Sequence, residues 1–354
     1  MTSLIAFVAA GALTALMAGA ALRIGWVDRR EGLEDRKPRR TPVPLVGGAA
    51  ILAALALTAW WTGDARLGAR ALPWPALVAA FLLGLVDDVL PGGLRAAAKL
   101  LGQLAVGVLV VAWPGEAWEG ASMGAHLTLG VLAVVAMNAV NTFDHQDGAA
   151  GALGVLALGP VAPPLGAAVA GYLPFNTALR RSGGDGETVP LAMLGDAGSH
   201  LLGVAVATTP GAQALLLVPL LDLARVAAGR IDRGQPFWVG DRTHLGHRLA
   251  RLGFGPVAVA LLLGSILAPP AVARILVDGR LALGGALVLS VILFYLAIAA
   301  TESEEEVAER HVGARSAPSG VGSRAAGPFA DPSVRSKAAP PLRSSESNGT
   351  GSGP

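Results

Sequence analysis

The sequence predicts an all-α integral membrane protein, a helix bundle with about ten or eleven membrane crossings. Of its 354 residues, 53% are hydrophobic and only 15% are charged, whereas an average soluble domain carries roughly 25% charged residues. Apolar runs recur along the chain between short polar loops, and most are close to the ~20 residues that a spanning helix needs. The chain contains no cysteine, which excludes disulfide frameworks and thiolate metal sites.

Uninterrupted apolar runs predict the first five spans. Residues 3–22 form an uncleaved first span, because no charged region precedes the run and no small-residue cleavage site follows it. The loop after it is basic, with arginines from Arg23 to Arg40. By the positive-inside rule this loop lies in the cytoplasm and the N-terminus lies outside. The next spans are predicted at residues 44–61, 71–86, 99–113 and 125–140.

Two later apolar stretches are too short for two full crossings each. Prolines between positions 160 and 164 break residues 149–176, and proline ends or kinks a helix. A short or re-entrant hairpin is therefore predicted there. The same shortfall recurs in residues 203–228, which the sequence TTPG at 208–211 interrupts.

The final two spans, residues 254–276 and 281–300, leave the C-terminus in the cytoplasm. From Thr301 the chain becomes acidic and then rich in Ser, Gly, Pro and Arg. Such a segment has too few large apolar groups to offset the entropy of ordering. The sequence thus predicts a membrane domain over residues 1–300 and a disordered cytoplasmic tail over residues 301–354.

The most informative polar stretch, NAVNTFDHQDG at 138–148, lies between two uncharged apolar runs. An unpaired carboxylate at the edge of hydrocarbon is costly, so ionisable residues at this depth are functional candidates. The alternative is an ordinary polar loop between two spans, but such a loop does not need two aspartates three residues apart. The candidates in this stretch are Asn138, Asn141, Asp144 and Asp147.

Three further segments predicted on the same side carry polar groups. They contain Asp87 and Asp88, Asp196 in GDAGS, and His244 with His247 in a basic loop. Each has a plain alternative: a helix cap, a glycine-rich turn, or an anchor for anionic lipid headgroups. Together they suit Mg²⁺ and a phosphorylated substrate, because Mg²⁺ takes one or two carboxylates and binds phosphate oxygens. The combination indicates phosphoryl transfer, in which a protein mainly positions groups and neutralises charge.

Five blocks in order resemble the polyprenyl-phosphate N-acetylhexosamine-1-phosphate transferases, over residues 1 to about 300. They are RKPRRTPVPLVGG (36–48), GLVDD (84–88) followed by Lys99 and Gln103, NAVNTFDHQDG (138–148), MLGDAGS (193–199), and PLLDLARV (219–226) with PFWVGDRTHLGHRL (236–249). Members of this integral-membrane family join a sugar 1-phosphate from a UDP-sugar to undecaprenyl phosphate. As a set, these motifs are highly specific.

The resemblance implies a role for each matching residue. It assigns activation of the lipid phosphate to Asp87 and Asp88, and Mg²⁺ binding to Asp88 and Asp196, with Mn²⁺ as an alternative ion. Asp144 and Asp147 match the catalytic block. The residues that it implies for substrate binding are Lys99, Asn138, Asn141, Arg242, His244, His247 and Arg248.

The resemblance also implies the reaction and its setting. The expected reaction converts UDP-N-acetylhexosamine and undecaprenyl phosphate to polyprenyl-pyrophosphoryl-N-acetylhexosamine and UMP, at the cytoplasmic face of a bacterial plasma membrane. The blocks are more similar to those of members that use N-acetylglucosamine than to those of members that use muramoyl-pentapeptide. The expected partners are these substrates and membrane lipids, with no nucleic acid; a homodimer stays open.

Four positions depart from the family pattern. His145 stands where Gly is usual, Gln146 replaces Leu or Ile, Gly246 stands where another His is common, and Arg39 replaces a frequent His. With the two short stretches, these departures leave open a variant substrate or an inactive relative. If the His145 imidazole contacts the substrate, its contribution to activity is expected to titrate near the ordinary histidine pKa of about 6.5. The alternative is that the fold accommodates His145 without any functional contact.

Two other classes of membrane protein are alternatives. A transporter or lipid-binding protein could use intramembrane carboxylates to relay ions, but the inverted repeats typical of transporters are not seen in the sequence. A CDP-alcohol phosphotransferase would carry a run of aspartates within one DG-x-x-AR segment, and this chain does not.

Overall fold

The computed structural model describes residues 1–28, 41–113, 115–183, 186–234, 243–277 and 279–316. The helices in these ranges are Thr2–Ile24 (α1), Gly47–Thr62 (α2), Trp74–Val89 (α3), Ala96–Val111 (α4), Met123–Phe143 (α5), Ala149–Leu158 (α6), Pro163–Asn176 (α7), Gly195–Thr208 (α8), Leu217–Asp232 (α9), Leu245–Arg251 (α10), Pro256–Leu276 (α11) and Arg280–Ser316 (α12). One antiparallel pair of strands, Arg180–Ser182 (β1) and Thr188–Pro190 (β2), joins α7 to α8.

The predicted all-α membrane bundle is confirmed. Within the described ranges, α1, α5, α11 and residues 280–302 of α12 are long and apolar enough to cross a membrane. The other apolar helices are shorter. At 1.5 Å per residue, a helix of 16 residues such as α2 or α4 is about 24 Å long, against a hydrocarbon core of roughly 30 Å. The number of crossings and the orientation stay predictions.

The short hairpin predicted at residues 149–176 is present as α6 and α7. Helix α6 ends at Leu158, and α7 begins at Pro163 with a second proline in its first turn. Proline is favourable at the first helical position because its missing N–H would have no partner there. The prolines therefore end one short helix and start the next.

Helix α8 begins earlier than the sequence predicts. The sequence predicts an apolar stretch that begins at Gly203, whereas the helix begins at Gly195 and includes the whole GDAGS motif. The turn into the helix depends on Gly195, whose φ of 74° lies in the left-handed region. The two carboxylate oxygens of Asp88 accept the N–H groups of Asp196 and Ala197. The interruption at TTPG is confirmed, because α8 ends at Thr208 and α9 starts at Leu217.

Helix α8 lies at the centre of the bundle and packs against α2, α3 and α5. Every residue from Ala197 to Thr208 is buried. Two glycines bring the neighbouring backbones into direct contact with it: a Cβ on Gly84 of α3 would lie 2.2 Å from the Asp196 carbonyl oxygen, and one on Gly48 of α2 would lie 2.4 Å from the Gly198 nitrogen. Small residues permit such close helix packing in membranes.

The compact unit that contains the bundle extends from Met1 to Ala308. The disordered tail from Thr301 stays a prediction; in the structure, α12 continues to Ser316. Residues 301–316 are rich in Glu, Ala and Arg, which have high helix propensity. The rest of the predicted tail, residues 317–354, lies outside the described residues.

Candidate active site

Four helices bring the predicted polar residues together at one end of the bundle. Asp87 and Asp88 lie in the last turn of α3, Lys99 in the first turn of α4, Asn141 in the last turn of α5 and Asp196 in the first turn of α8. These segments are far apart in the sequence. The order of the helices places their polar ends side by side.

The Lys99 ammonium group lies between two carboxylates. Its Nζ is 2.9 Å from Asp87 Oδ2 and 2.5 Å from Asp196 Oδ2. Asp87 is held further by the backbone N–H of Leu94, which donates to Oδ1 at 2.5 Å. Two carboxylates from different helices therefore converge on one position that is occupied by a positive charge. The three side chains are only partly exposed, between 13% and 29%, which strengthens the attraction relative to open water.

Asp88 contacts the start of α8. Its Oδ1 accepts from the Asp196 backbone N–H at 2.9 Å, and its Oδ2 accepts from Ala197 at 3.0 Å. The first N–H groups of a helix have no partner inside the helix, and the helix dipole favours a negative charge there. Asp88 thus fixes the end of the helix that carries Asp196.

A layer of amide and imidazole groups orients Asp196. Asn141 Nδ2 donates to Asp196 Oδ1 at 2.8 Å and to Ser199 Oγ at 3.0 Å. His200 Nδ1 donates to the Asp196 carbonyl oxygen at 2.7 Å. Its Nε2 is then the acceptor for Gln103 Nε2, at 3.1 Å.

Gln103 links this layer to the predicted substrate residue Asn138. Asn138 Nδ2 donates to Gln103 Oε1 at 2.8 Å, and Gln103 Nε2 donates back to Asn138 Oδ1 at 3.3 Å. Sequence reasoning missed Ser199 and His200 as site residues. Their spacing could have indicated them, because residues three and four positions after Asp196 lie on the same face of a helix as Asp196.

The two aspartates of the DHQDG loop have different surroundings. Asp144 follows the last residue of α5 and is half-buried. Asp147 is buried and pairs with Arg180, whose Nη1 is 3.0 Å from Asp147 Oδ2. Arg180 also donates to the Thr188 carbonyl oxygen. Asp147 therefore forms an ion pair with the β1–β2 hairpin. Its catalytic role stays a prediction.

Breaking this pair should destabilise the protein. Removing one partner of a buried ion pair leaves an uncompensated charge and typically costs 3–5 kcal/mol. Because the Arg180 side chain keeps 20% exposure, we expect Arg180→Met to lower the free energy of unfolding by about 3 kcal/mol, measured by thermal unfolding in detergent. Arg70→Met is the control: its guanidinium is 64% exposed, and an exposed pair contributes about 0–1 kcal/mol. An equal loss in both variants would contradict a specific Arg180–Asp147 contribution.

The predicted substrate residue His244 is buried and paired. Its Nδ1 is 2.7 Å from Asp222 Oδ2, and the two side chains are 3% and 1% exposed. The other oxygen of Asp222 accepts from Arg225 Nη2 at 2.8 Å. His244 directly precedes α10, so the pair fixes the start of that helix against α9. Asp222 lies in the PLLDLARV block, but nothing in that block indicates its partner.

His145 lies against the basic loop. Its ring is stacked on His244, with ring centroids 4.8 Å apart, and is 4.7 Å from the His247 ring. A Cβ on Gly246 would lie 2.5 Å from His145 Nε2. Two departures from the family pattern are therefore linked sterically, because the imidazole fills the space that a side chain at position 246 would need.

Burial, together with the electrostatic effect of His244 and His247, lowers the pKa of His145 to about 3. The imidazole is therefore neutral at any ordinary working pH. The expected titration of His145 near pH 6.5 is wrong for this environment, because desolvation disfavours the charged form.

Arg248 lines a cavity of about 420 Å³ between α9, α10 and α12. Arg225 and Arg233 line the same cavity. Arg248 donates to the Thr243 carbonyl oxygen at 3.1 Å and lies 3.4 Å from Glu302 Oε1. Two carboxylates, Asp232 and Glu302, also line the cavity, so the three guanidinium groups exceed the acidic groups by one. The predicted substrate residue Arg242 lies outside the described residues.

Comparison with known proteins adds two findings. Residues 72–163, from the start of α3 to the start of α7, match the model of glycosyl transferase family 4. The chain is also similar to the Streptomyces coelicolor protein "Putative glycosyltransferase SCO3672", with 33% identity over 296 residues that cover 75% of this chain and 66% of that relative. The chain therefore spans just under two thirds of the relative's length. The matched region includes Asp87, Asp88, Lys99 and the whole DHQDG loop.

Proposed function

The chain belongs to glycosyl transferase family 4, and from this premise we propose that it transfers N-acetylhexosamine 1-phosphate from a UDP-sugar to undecaprenyl phosphate. N-Acetylglucosamine is the sugar that the motifs favour. The protein acts in a bacterial plasma membrane, with its active site at the cytoplasmic face. The product serves as the first membrane intermediate of a cell-envelope polysaccharide.

The position of Lys99 carries this proposal. A charged group held between Asp87 and Asp196 at the end of an apolar bundle is unlike a simple helix cap or a solvated turn. Four separate helices contribute to one polar cluster, which favours a common ligand over four independent structural roles. The three arginines in the cavity around Arg248 could offer positive charge to the diphosphate.

The residues present fit a hard divalent cation. Asp87 Oδ2 and Asp196 Oδ2 converge on one cationic atom, Lys99 Nζ, and Mg²⁺ binds through one or two carboxylates together with water and phosphate oxygens. Asp196 would hold Mg²⁺ with Asp87 or Asp88, and Mn²⁺ could take its place. When bound, the ion neutralises negative charge that develops on the phosphoryl oxygens.

In the proposed reaction, an oxygen of the lipid phosphate attacks the phosphorus that bears the sugar. A new P–O bond forms, the bond between that phosphorus and the bridging oxygen breaks, and UMP leaves with the bond electrons. Asp87 accepts any proton that remains on the lipid phosphate. Lys99 is placed to pair with phosphate oxygens, and Asn141 keeps the Asp196 carboxylate in place.

The direct test uses the purified chain in neutral detergent with radiolabelled UDP-N-acetylglucosamine and undecaprenyl phosphate. We expect labelled lipid to form with Mg²⁺, to disappear with EDTA, and to return when Mg²⁺ or Mn²⁺ is restored. UDP-N-acetylgalactosamine and UDP-glucose, assayed in parallel, identify the sugar. Turnover that persists in EDTA would contradict the metal dependence, and no product from any UDP-sugar would favour an inactive relative.

A further inference from the structure

A second group of potential metal ligands lies outside the carboxylate cluster. We propose that His145, Asp222 and His244 bind a divalent transition metal ion of the Zn²⁺ class. One ligand atom from each of these residues lies within 4.8 Å of the others. The three residues come from the loop after α5, from α9 and from the start of α10.

The hydrogen bonds of His145 prepare it as a ligand. Its Nδ1 is 2.8 Å from the Thr142 carbonyl oxygen, which can only accept, so the proton is on Nδ1 and the lone pair is on Nε2. This Nε2 is buried and has no hydrogen-bond partner in the part of the chain that the structure describes. A histidine that binds a metal commonly donates its other ring N–H to a carbonyl or carboxylate in this way.

His244 Nδ1 and Asp222 Oδ2 lie 2.7 Å apart, so an ion bound by both atoms would replace the proton that they share, because metal ligands must be deprotonated. The His247 ring lies 4.7 Å from the His145 ring and adds a third imidazole to the group. Imidazole nitrogens with one carboxylate suit Zn²⁺, Co²⁺ and Ni²⁺ better than Mg²⁺.

Binding requires a local rearrangement of the ligands. Zn²⁺ bonds of 2.0–2.2 Å place tetrahedral ligand atoms about 3.3–3.5 Å apart. The ligand atoms here are up to 4.8 Å apart, so the most distant ones must approach by as much as about 1.5 Å, whereas His244 Nδ1 and Asp222 Oδ2, at 2.7 Å, must separate slightly. The absence of a side chain at Gly246 keeps Nε2 accessible from that side, because a Cβ there would lie 2.5 Å from it. The site differs in ligand chemistry from the carboxylate cluster, and it does not depend on the proposed transfer reaction.

The test measures binding of Co²⁺ to the purified full chain in neutral detergent, with millimolar Mg²⁺ present to occupy oxygen-rich sites. We expect one Co²⁺ per chain, with the visible absorption of nitrogen-ligated Co²⁺ and displacement by Zn²⁺. His145→Gly should weaken Co²⁺ binding at least tenfold. His126→Ala is the matched control, because His126 lies near the other end of α5, and it should bind Co²⁺ like the parent.

A second variant keeps every ligand. Gly246→Ala places a methyl group against His145 Nε2 and should also weaken Co²⁺ binding at least tenfold. If circular dichroism shows that His145→Gly does not fold, the Co²⁺ affinity of Gly246→Ala tests the proposal instead. Absence of stoichiometric Co²⁺, binding unchanged in Gly246→Ala, or an equal loss in His126→Ala would overturn the proposal.

Discussion

We expect Asp196→Asn to lower the rate of transfer by about 10²-fold to 10³-fold. This is the usual effect of removing one group that stabilises transition-state charge. Asparagine keeps the volume and can still accept the hydrogen bond from Asn141. It removes the negative charge that faces Lys99, and it removes a carboxylate ligand for Mg²⁺. The loss should appear in turnover even when Mg²⁺ and both substrates are saturating.

Asp64→Asn is the matched control for this experiment. Asp64 pairs with Arg66 in the loop between α2 and α3, outside the cluster, and its variant should retain transfer activity. The thermal unfolding of Asp196→Asn in detergent should remain cooperative, which would separate lost chemistry from lost folding. Near-normal turnover of Asp196→Asn at ordinary Mg²⁺ would exclude Asp196 as a metal ligand.

Asp88→Asn should differ from Asp196→Asn in a measurable way. Both variants should lose activity, but Asp88 also accepts two N–H groups at the start of α8. An amide has only one acceptor oxygen, so Asp88→Asn should lower the free energy of unfolding by about 1 kcal/mol, as for the loss of a helix cap. Equal stability of Asp88→Asn and the parent would show that the cap contributes little.

Most helices could be predicted from sequence because an apolar run of suitable length has few other solutions in a membrane. The start of α8 could not, and the reason is tertiary. The carboxylate that satisfies its first N–H groups comes from Asp88, on α3. A local pattern read along GDAGS contains no such acceptor, so the segment resembles a turn.

The candidate site was also predictable only in part, because sequence motifs identify residues but not their contacts. Family motifs named Asp87, Lys99 and Asp196, and the structure brings these three into contact. The motifs could not show which residue pairs with which. The Asp222–His244 pair joins segments of separate motifs, and its burial depends on how α9 and α10 pack.

His145 shows a further limit of reasoning from one position at a time. Compared with the family pattern, the histidine at 145 and the glycine at 246 are two separate departures. In the structure the two departures are sterically linked, because a Cβ at position 246 would lie 2.5 Å from His145 Nε2. Only the contact between the loops reveals that each change accommodates the other.

Gly84→Ala is expected to reduce both stability and activity, although Gly84 carries no functional group. A Cβ at this position would lie 2.2 Å from the Asp196 carbonyl oxygen, so α3 and α8 would have to separate by at least about 1.2 Å to reach an ordinary contact of about 3.4 Å or more. Overpacking of this kind typically costs 1–3 kcal/mol. Because Asp88 on α3 holds the start of α8, the separation should also displace Asp196, and a misplacement of about 1 Å can cost 10²-fold in rate.

Gly19→Ala provides the matched control, because Gly19 is also inside a helix and a Cβ there meets nothing within 4 Å. That substitution should leave activity unchanged and should not lower the free energy of unfolding, since alanine favours helix over glycine by about 0.5–1 kcal/mol. Thermal unfolding and the transfer assay, both in detergent, compare the two variants directly. If Gly84→Ala matched Gly19→Ala in both measurements, close contact between α3 and α8 would not be what positions Asp196.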